Sequence, residues 1–129
     1  MTVVLDSSAL LARLLNEPGR DLVAQAIASD AAMSSVNLAE VMTILVRDGL
    51  SPAEAERALA RLPVTIHPLD DVLALQAGAM FAVTRKFGLS LGDRACLALA
   101  QRENLAVLTG DRTWVQAGPL VGVTVKLIR

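Results

Sequence analysis

Four acidic residues stand where a carboxylate could do chemistry, at points where apolar runs give way to polar ones. Asp6 ends Val3-Val4-Leu5, and Glu40 sits in Asn37-Leu38-Ala39-Glu40-Val41. Asp93 follows Ser90-Leu91-Gly92, and Asp111 follows Thr109-Gly110. Taken singly, each has a structural reading. Asp6 with Ser7-Ser8 could cap a first helix. Glu40 stands third after Asn37 and Asp93 third after Ser90, the closing position of a capping box. Asp111 could be a turn acid. Capping does not explain why two of these acids end core strands while the other two open buried helices. Parallel strands share one carboxyl edge, and the helices that follow them start there. The pattern therefore predicts four carboxylates converging on one cavity.

Carboxylates held close together cannot all stay ionised without compensation. Helix N-termini ease part of the cost, and a hard divalent cation eases far more. An all-carboxylate set with hydroxyls and water suits Mg²⁺ or Mn²⁺, whereas zinc draws on Cys and His. The single His67 and single Cys96 are distant in sequence, which argues against zinc. Gly92 beside Asp93 and Gly110 beside Asp111 would leave room for an ion or a phosphate. Arg94 and Arg112 directly follow two of the acids and could reach a phosphate, an ordinary surface ion pair being the alternative. His67 reads as a structural or surface residue, Cys96 as a small hydrophobe and Trp114 as a core anchor. Asp21, Glu54, Asp70 and Asp71 read as caps.

The elements that must position the acids follow from periodicity and punctuation. Val3–Leu5 is short, apolar and β-branched, as expected of a buried central strand. A helix from Ala9 to Leu15 ends at Asn16-Glu17-Pro18-Gly19, and Asp21 is expected to cap a second helix to about Ala28. Met33–Val36 reads as a short strand. Asn37 is expected to start a helix with Leu38, Val41, Met42 and Leu45 on one face, stopping at Gly49. Ser51-Pro52-Ala53-Glu54 is a capping box opening a helix to about Leu62. Val64–His67 follows as a strand, then a long helix from Asp70-Asp71 to about Phe87. Ser90 opens the most apolar helix, Ala95 to Ala100, which should be packed on every side. Ala106–Thr109 is a strand, Thr113–Val115 a single turn, and Val123–Leu127 alternates like an edge strand. Strands alternating with helices predict a single α/β domain over residues 1–129, three-layered, with a mostly parallel central sheet flanked by helices.

Hydrophobic residues make up 53% of the 129, and the mean hydropathy is +0.51. No uninterrupted apolar stretch approaches the ~20 residues of a membrane span. The excess is Ala, Leu and Val spread over helices, which predicts buried helices and an apolar dimer surface. The start Met-Thr-Val-Val has no basic segment or small-residue cleavage site, and one cysteine allows no internal disulfide; both predict a cytoplasmic protein. The formal charge is −1, yet with the four acids set aside basic residues outnumber the remaining acids by three. That balance suits a phosphate-bearing partner once cations neutralise the cluster.

The segments Val-Val-Leu-Asp-Ser-Ser-Ala-Leu, Asn-Leu-Ala-Glu-Val, Leu-Ser-Leu-Gly-Asp-Arg-Ala-Cys-Leu-Ala-Leu-Ala and Leu-Thr-Gly-Asp-Arg-Thr-Trp, in that order, resemble the PIN domain family. Within it the chain is most similar to VapC-type toxins of bacterial toxin–antitoxin pairs, along essentially its whole length. The resemblance puts Asp6, Glu40, Asp93 and Asp111 at the family's acidic positions, and Ser7 and Thr109 at its hydroxyl positions. Some relatives carry a further acid shortly after the last; Thr113, Trp114 and Gln116 offer none here, which bears on a second metal position. What the resemblance implies is an Mg²⁺- or Mn²⁺-dependent endoribonuclease, homodimeric, silenced by a cognate VapB-like antitoxin whose tail enters the acidic groove.

On that basis Asp6 and Asp93 chiefly hold one Mg²⁺, and Glu40 holds that ion or accepts a proton from its water. Asp111, helped by Thr109, supports a second ion at the leaving oxygen. With two Phe, one Trp and no Tyr, base-stacking platforms are few. RNA shape and phosphate contacts, with arginines as their agents, would then set the substrate. The competing reading is a non-catalytic PIN-like RNA- or partner-binding module. A haloacid-type phosphatase would want a second acid where Ser8 stands, and a receiver-like domain a lysine where Thr109 stands.

Overall fold

Val3–Leu5 forms β1, the middle strand of a five-stranded sheet in the order β3-β2-β1-β4-β5, with every pairing parallel. The other strands are β2 (Ala31–Ser34), β3 (Val64–His67), β4 (Val107–Thr109) and β5 (Val125–Leu127). The structure is a computed structural model describing residues 2–129. The α/β architecture and parallel sheet expected from the sequence are both present.

Alternate strand residues face opposite layers. Val4 and Val107 point into a core shared with α5 (Asp71–Ala79), α7 (Leu91–Glu103) and α8 (Trp114–Leu120). Leu5, Ala31, Met33 and Leu108 point into a second core. It is shared with α1 (Ser7–Leu14), α2 (Arg20–Ser29), α3 (Ser35–Arg47) and α4 (Pro52–Ala60). From β1 the chain winds outward to β2 and β3, then crosses back to place β4 on the other side of β1. The strand order thus reverses between β1 and β4. In such sheets the crevice beyond the carboxyl ends at the reversal is where ligands bind. Asp6 and Asp111 follow those two strands.

Several boundaries differ from expectation, each for a local reason. The second strand lies at Ala31–Ser34 because Ser34 is the cap of α3, its Oγ accepting from Val36 N at 3.2 Å. Small alanines outweigh their poor strand propensity here because Ala31 and Ala32 are buried in the sheet. α3 therefore begins before Asn37, and Glu40 lies in its second turn, not at the end of a capping box. Asp21 lies within the first turn of α2 and is not its cap. That position belongs to Gly19, at φ 95°, where a Cβ would come within 2.5 Å of the Ile128 carbonyl oxygen.

The long helix expected from Asp70 to Phe87 is broken. α5 gives way at Met80 to a short α6 (Phe81–Thr84) and a 3₁₀ turn (Arg85–Phe87), closed by Gly88 at φ 70°. Thr84 is fully buried and its hydroxyl donates to the Met80 carbonyl at 2.8 Å, fixing the bend. The turn expected at Thr113–Val115 extends into α8, which buries Trp114 completely. The Ser51–Glu54 capping box and the Asp70 cap are as expected. Among the described residues, no helix is long and apolar enough to cross a membrane.

Candidate active site at the carboxyl edge of the sheet

Asp6 leaves β1 and caps α1. Its Oδ1 accepts from Ala9 N at 2.8 Å and Ser8 Oγ at 2.7 Å, and its Oδ2 accepts from Thr109 Oγ1 at 2.6 Å. The residue is 5% exposed. Burial pushes its pKa from 3.8 to about 6, against the lowering effect of those three hydrogen bonds; the charge of Asp93 pushes it further up. A carboxyl that stays perturbed while accepting three bonds is one whose negative charge lacks a counter-ion.

Thr109 couples the two strands that flank the crevice. Its hydroxyl donates to Asp6 and accepts from Asp111 N at 3.0 Å. Ser8 adds a second link, accepting from Gly110 N at 2.9 Å while it donates to Asp6. The exposed Asp111 turns its Oδ1 towards Thr113, accepting from the backbone N at 2.9 Å and the hydroxyl at 2.7 Å.

Asp93 enters from α7. It closes a capping box with Ser90, its Oδ2 accepting from Ser90 N at 2.9 Å while its own N donates to Ser90 Oγ at 3.2 Å. Its pKa is raised by burial first and then by the charges of Glu40 and Asp111, with the capping bonds acting the other way. The capping residue and the candidate site acid are thus the same residue.

Glu40 is held by α1 and α3. Its Oε1 accepts from Ser7 Oγ at 2.5 Å and from Asn37 Nδ2 at 2.8 Å. Asn37, 1% exposed, also donates to the Gly92 carbonyl at 3.1 Å and so ties α3 to the start of α7. This residue was expected only as a helix start; the signal that finds it is a carboxamide one turn before a site acid. Its Oδ1 is buried with no hydrogen-bond partner among the described residues.

The two glycines expected to leave space for a ligand are instead occupied by side chains. A Cβ on Gly92 would fall 2.3 Å from Glu40 Oε2, and one on Gly110 would fall 2.7 Å from Arg129 Nη2. Gly92→Ala is therefore expected to displace the Glu40 carboxylate, the flexible partner in the clash, and to leave α7 intact. Alanine improves the helix by up to about 1 kcal/mol. Any nuclease activity should fall roughly 10–100-fold, the usual effect of disturbing a supporting contact. Unchanged activity alongside unchanged melting would refute the placement of Glu40.

Asp93 thus sits electrostatically between Asp6, Glu40 and Asp111. The four do not form a ready-made cage. Among the described residues, no three Asp, Glu, His or Cys side chains are grouped as a metal-binding set. Each carboxylate is turned to its own capping or hydroxyl partners. The donor chemistry nevertheless fits a hard cation, being all carboxylate and hydroxyl oxygen. Cys96 lies fully buried, and its thiol pKa is pushed well up by burial and by the charges of Asp6, Asp93 and Glu40. It is a packed hydrophobe, not a ligand.

Arg94 Nη1 donates to the Ala77 carbonyl at 2.9 Å, with its guanidinium 5.4 Å from the Phe81 ring centroid. Arg112 is exposed and borders a cavity with Asp111. His67 lies 3.8 Å from Glu103, outside the site.

In fold the chain is similar to VapBC2 from Rickettsia felis bound to a promoter DNA fragment, with a TM-score of 0.75 at 15% identity over 98% of each chain. It is equally similar to VapC20 of Mycobacterium tuberculosis, a Sarcin-Ricin loop cleaving toxin, with a TM-score of 0.75 at 19% identity over 90% of this chain and 95% of that one. A toxin–antitoxin complex from Klebsiella pneumoniae gives 0.65 at 22% identity over 87% and 89%. No protein of curated function matches the sequence significantly. The PIN domain model matches residues 3–118, a span that takes in all four acids. With the sheet order and the carboxyl-edge acids in place, that match settles the family: the chain belongs to the PIN domain family.

Proposed function

We propose that the chain is a metal-dependent endoribonuclease, hydrolysing RNA phosphodiesters, and the toxin of a type II toxin–antitoxin pair. The observation that carries this reading is the buried, uncompensated Asp6 at the strand-order reversal, with Asp93, Glu40 and Asp111 around it. Likeness to VapC20, itself a Sarcin-Ricin loop cleaving toxin, supports RNA as the substrate class. Likeness to chains from VapBC and toxin–antitoxin complexes supports a VapB-like antitoxin as partner. Exposed apolar Val72, Leu75 and Leu91 support a homodimer.

Asp6, Asp93, Glu40 and Asp111 would hold Mg²⁺, or Mn²⁺ in its place. A bound divalent cation supplies a Lewis acid for the phosphate and lowers the pKa of a water ligand. The chain's own residues do the rest. Thr109 and Ser8 fix both oxygens of Asp6, so its carboxylate presents one orientation. Ser7 and Asn37 occupy Oε1 of Glu40 and, among the described residues, leave Oε2 without a hydrogen-bond donor, a base position for a proton from the attacking water. Ser90 orients Asp93.

The test is cleavage of total cellular RNA by purified protein with Mg²⁺, with Mn²⁺ and with chelator, alongside Asp93→Asn. Discrete fragments that require the metal and vanish in the variant are the expected result. Cleavage surviving both chelator and substitution would overturn the site. A folded protein that binds RNA without cutting it would be the non-catalytic module.

A further inference from the structure

On the β5 side of the acids lies a cavity of about 690 Å³ lined by Ser8, Gly110, Asp111, Arg112 and Arg129. Two of these five are arginines. Among the described residues, neither has a carboxylate within ion-pair distance. Two unpaired cations beside an acidic cluster that could have neutralised them need a reason.

Arg129 is built into this position. β4 and β5 are paired with Thr109 opposite Leu127, so the residues two places on, Asp111 and Arg129, leave the sheet at the same carboxyl edge. Ile128 N donates to the Thr109 carbonyl at 3.0 Å, and Ile128 is buried in the core. Gly19 admits the Ile128 backbone at a distance no side chain would allow. Arg129 Nη1 donates to the Pro18 carbonyl at 3.0 Å, and the guanidinium packs against Gly110, where any Cβ would collide with Cζ at 2.9 Å. Two glycines and a carbonyl thus hold one exposed guanidinium beside Asp111. A guanidinium has five donors, and among the described residues one is used here.

We propose that Arg129, with Arg112, forms a phosphate-binding ledge that holds the RNA backbone at a phosphate flanking the one presented to the acids. The inference rests on the ribonuclease reading. An RNA laid across Asp6 and Asp111 continues past Asp111 into this cavity, and the polyanion needs cations there to offset repulsion by four carboxylates. A fixed planar fork suits phosphate oxygens better than a flexible ammonium does.

Arg129→Met keeps the aliphatic stem against Gly110 and removes the fork; Arg112→Met does the same at an exposed position where folding is not at stake. The probe is a fluorescently labelled single-stranded RNA of mixed sequence, its binding measured with Ca²⁺ across a salt series. Cleavage kinetics in Mg²⁺ accompany it. Each single variant should bind about 5–10-fold more weakly, and the log–log salt slope should fall by about 0.7 per arginine. The loss in kcat/KM should be carried mainly by KM. If the wild type binds and cuts RNA while the double variant keeps its affinity and salt slope, the ledge is refuted and the nuclease stands. The ledge is equally refuted if only binding of an acidic peptide weakens. If the wild type neither binds nor cuts RNA, the ribonuclease reading itself fails.

Discussion

Asp6→Asn should sharply reduce activity and make the metal-free protein more stable. The native pKa of about 6 lies some two units above the ordinary value of 3.8. A carboxyl whose pKa is raised on folding binds its proton more tightly in the native state. The native state therefore loses stability as pH rises from about 4 through about 6, and the loss is complete above that. Two units correspond to about 3 kcal/mol. Asparagine removes the charge and keeps two of the three contacts: its amide oxygen can still accept from Ala9 N and Ser8 Oγ, whereas its amide nitrogen reverses the third, donating to Thr109 Oγ1 and leaving that buried hydroxyl hydrogen without its acceptor. Denaturant melts should show the variant about 1–2 kcal/mol more stable than wild type at pH 7.5, once the lost Thr109 acceptor is set against the removed charge, and no more stable than it at pH 4. Mg²⁺ should stabilise the wild type and leave the variant unmoved. A ligand of a catalytic ion is worth several kcal/mol of transition-state stabilisation, so cleavage should fall roughly a thousandfold. Equal stability at both pH values would mean that Asp6 is not held as an uncompensated charge.

Topology decides which parts of the candidate site can be read from sequence. Asp6 and Asp111 were legible because each ends an apolar β-branched run, and a strand end at the carboxyl edge is a place defined by topology. Asp93 reads from sequence both as a cap and as a candidate site acid; the structure shows the capping box and sets the residue near the other acids. Its capping bonds offset part of the cost of holding it near other acids. Glu40 was found with the wrong local reason. Its support comes from two sides: Asn37, three residues before it on the same helix, and Ser7 on α1, thirty-three residues away. The first is a local pattern that the capping-box reading passes over; the second has no local signature.

The same holds at larger scale. Helix and strand existence followed from periodicity, whereas the break at Met80 depends on a buried Thr84 and the extra turns of α8 on burying Trp114. The space beside Gly92 and Gly110 was legible as space. Its occupants, Glu40 and Arg129, come from distant segments and were not.

Asn37 supports the other large effect. Asn37→Asp changes one NH₂ to an oxygen at a position 1% exposed, facing Glu40 Oε1 and the Gly92 carbonyl. Both neighbours are acceptors, so the new carboxylate would find no donor where the amide had supplied two hydrogens. Burying an unpaired charge against another carboxylate costs about 3–5 kcal/mol when it stays ionised. The new carboxyl would protonate instead, its native pKa rising well above the ordinary range. Protonated, it is nearly isosteric with asparagine and can donate to Glu40 or to Gly92, though not to both. The variant should thus be close to wild type in stability at pH 4–5 and lose it progressively as pH rises through that elevated pKa. Asn37→Ala separates the two contributions. It leaves the Gly92 carbonyl and Glu40 Oε1 without their donor, a loss of about 1–3 kcal/mol, and buries no new titratable group. Both variants should cleave RNA poorly at neutral pH, because Glu40 has lost the contact that fixes Oε1. Only Asn37→Asp should recover stability on acidification. Parallel pH profiles for the two would mean that Asn37 fills space at the α3–α7 junction without holding Glu40.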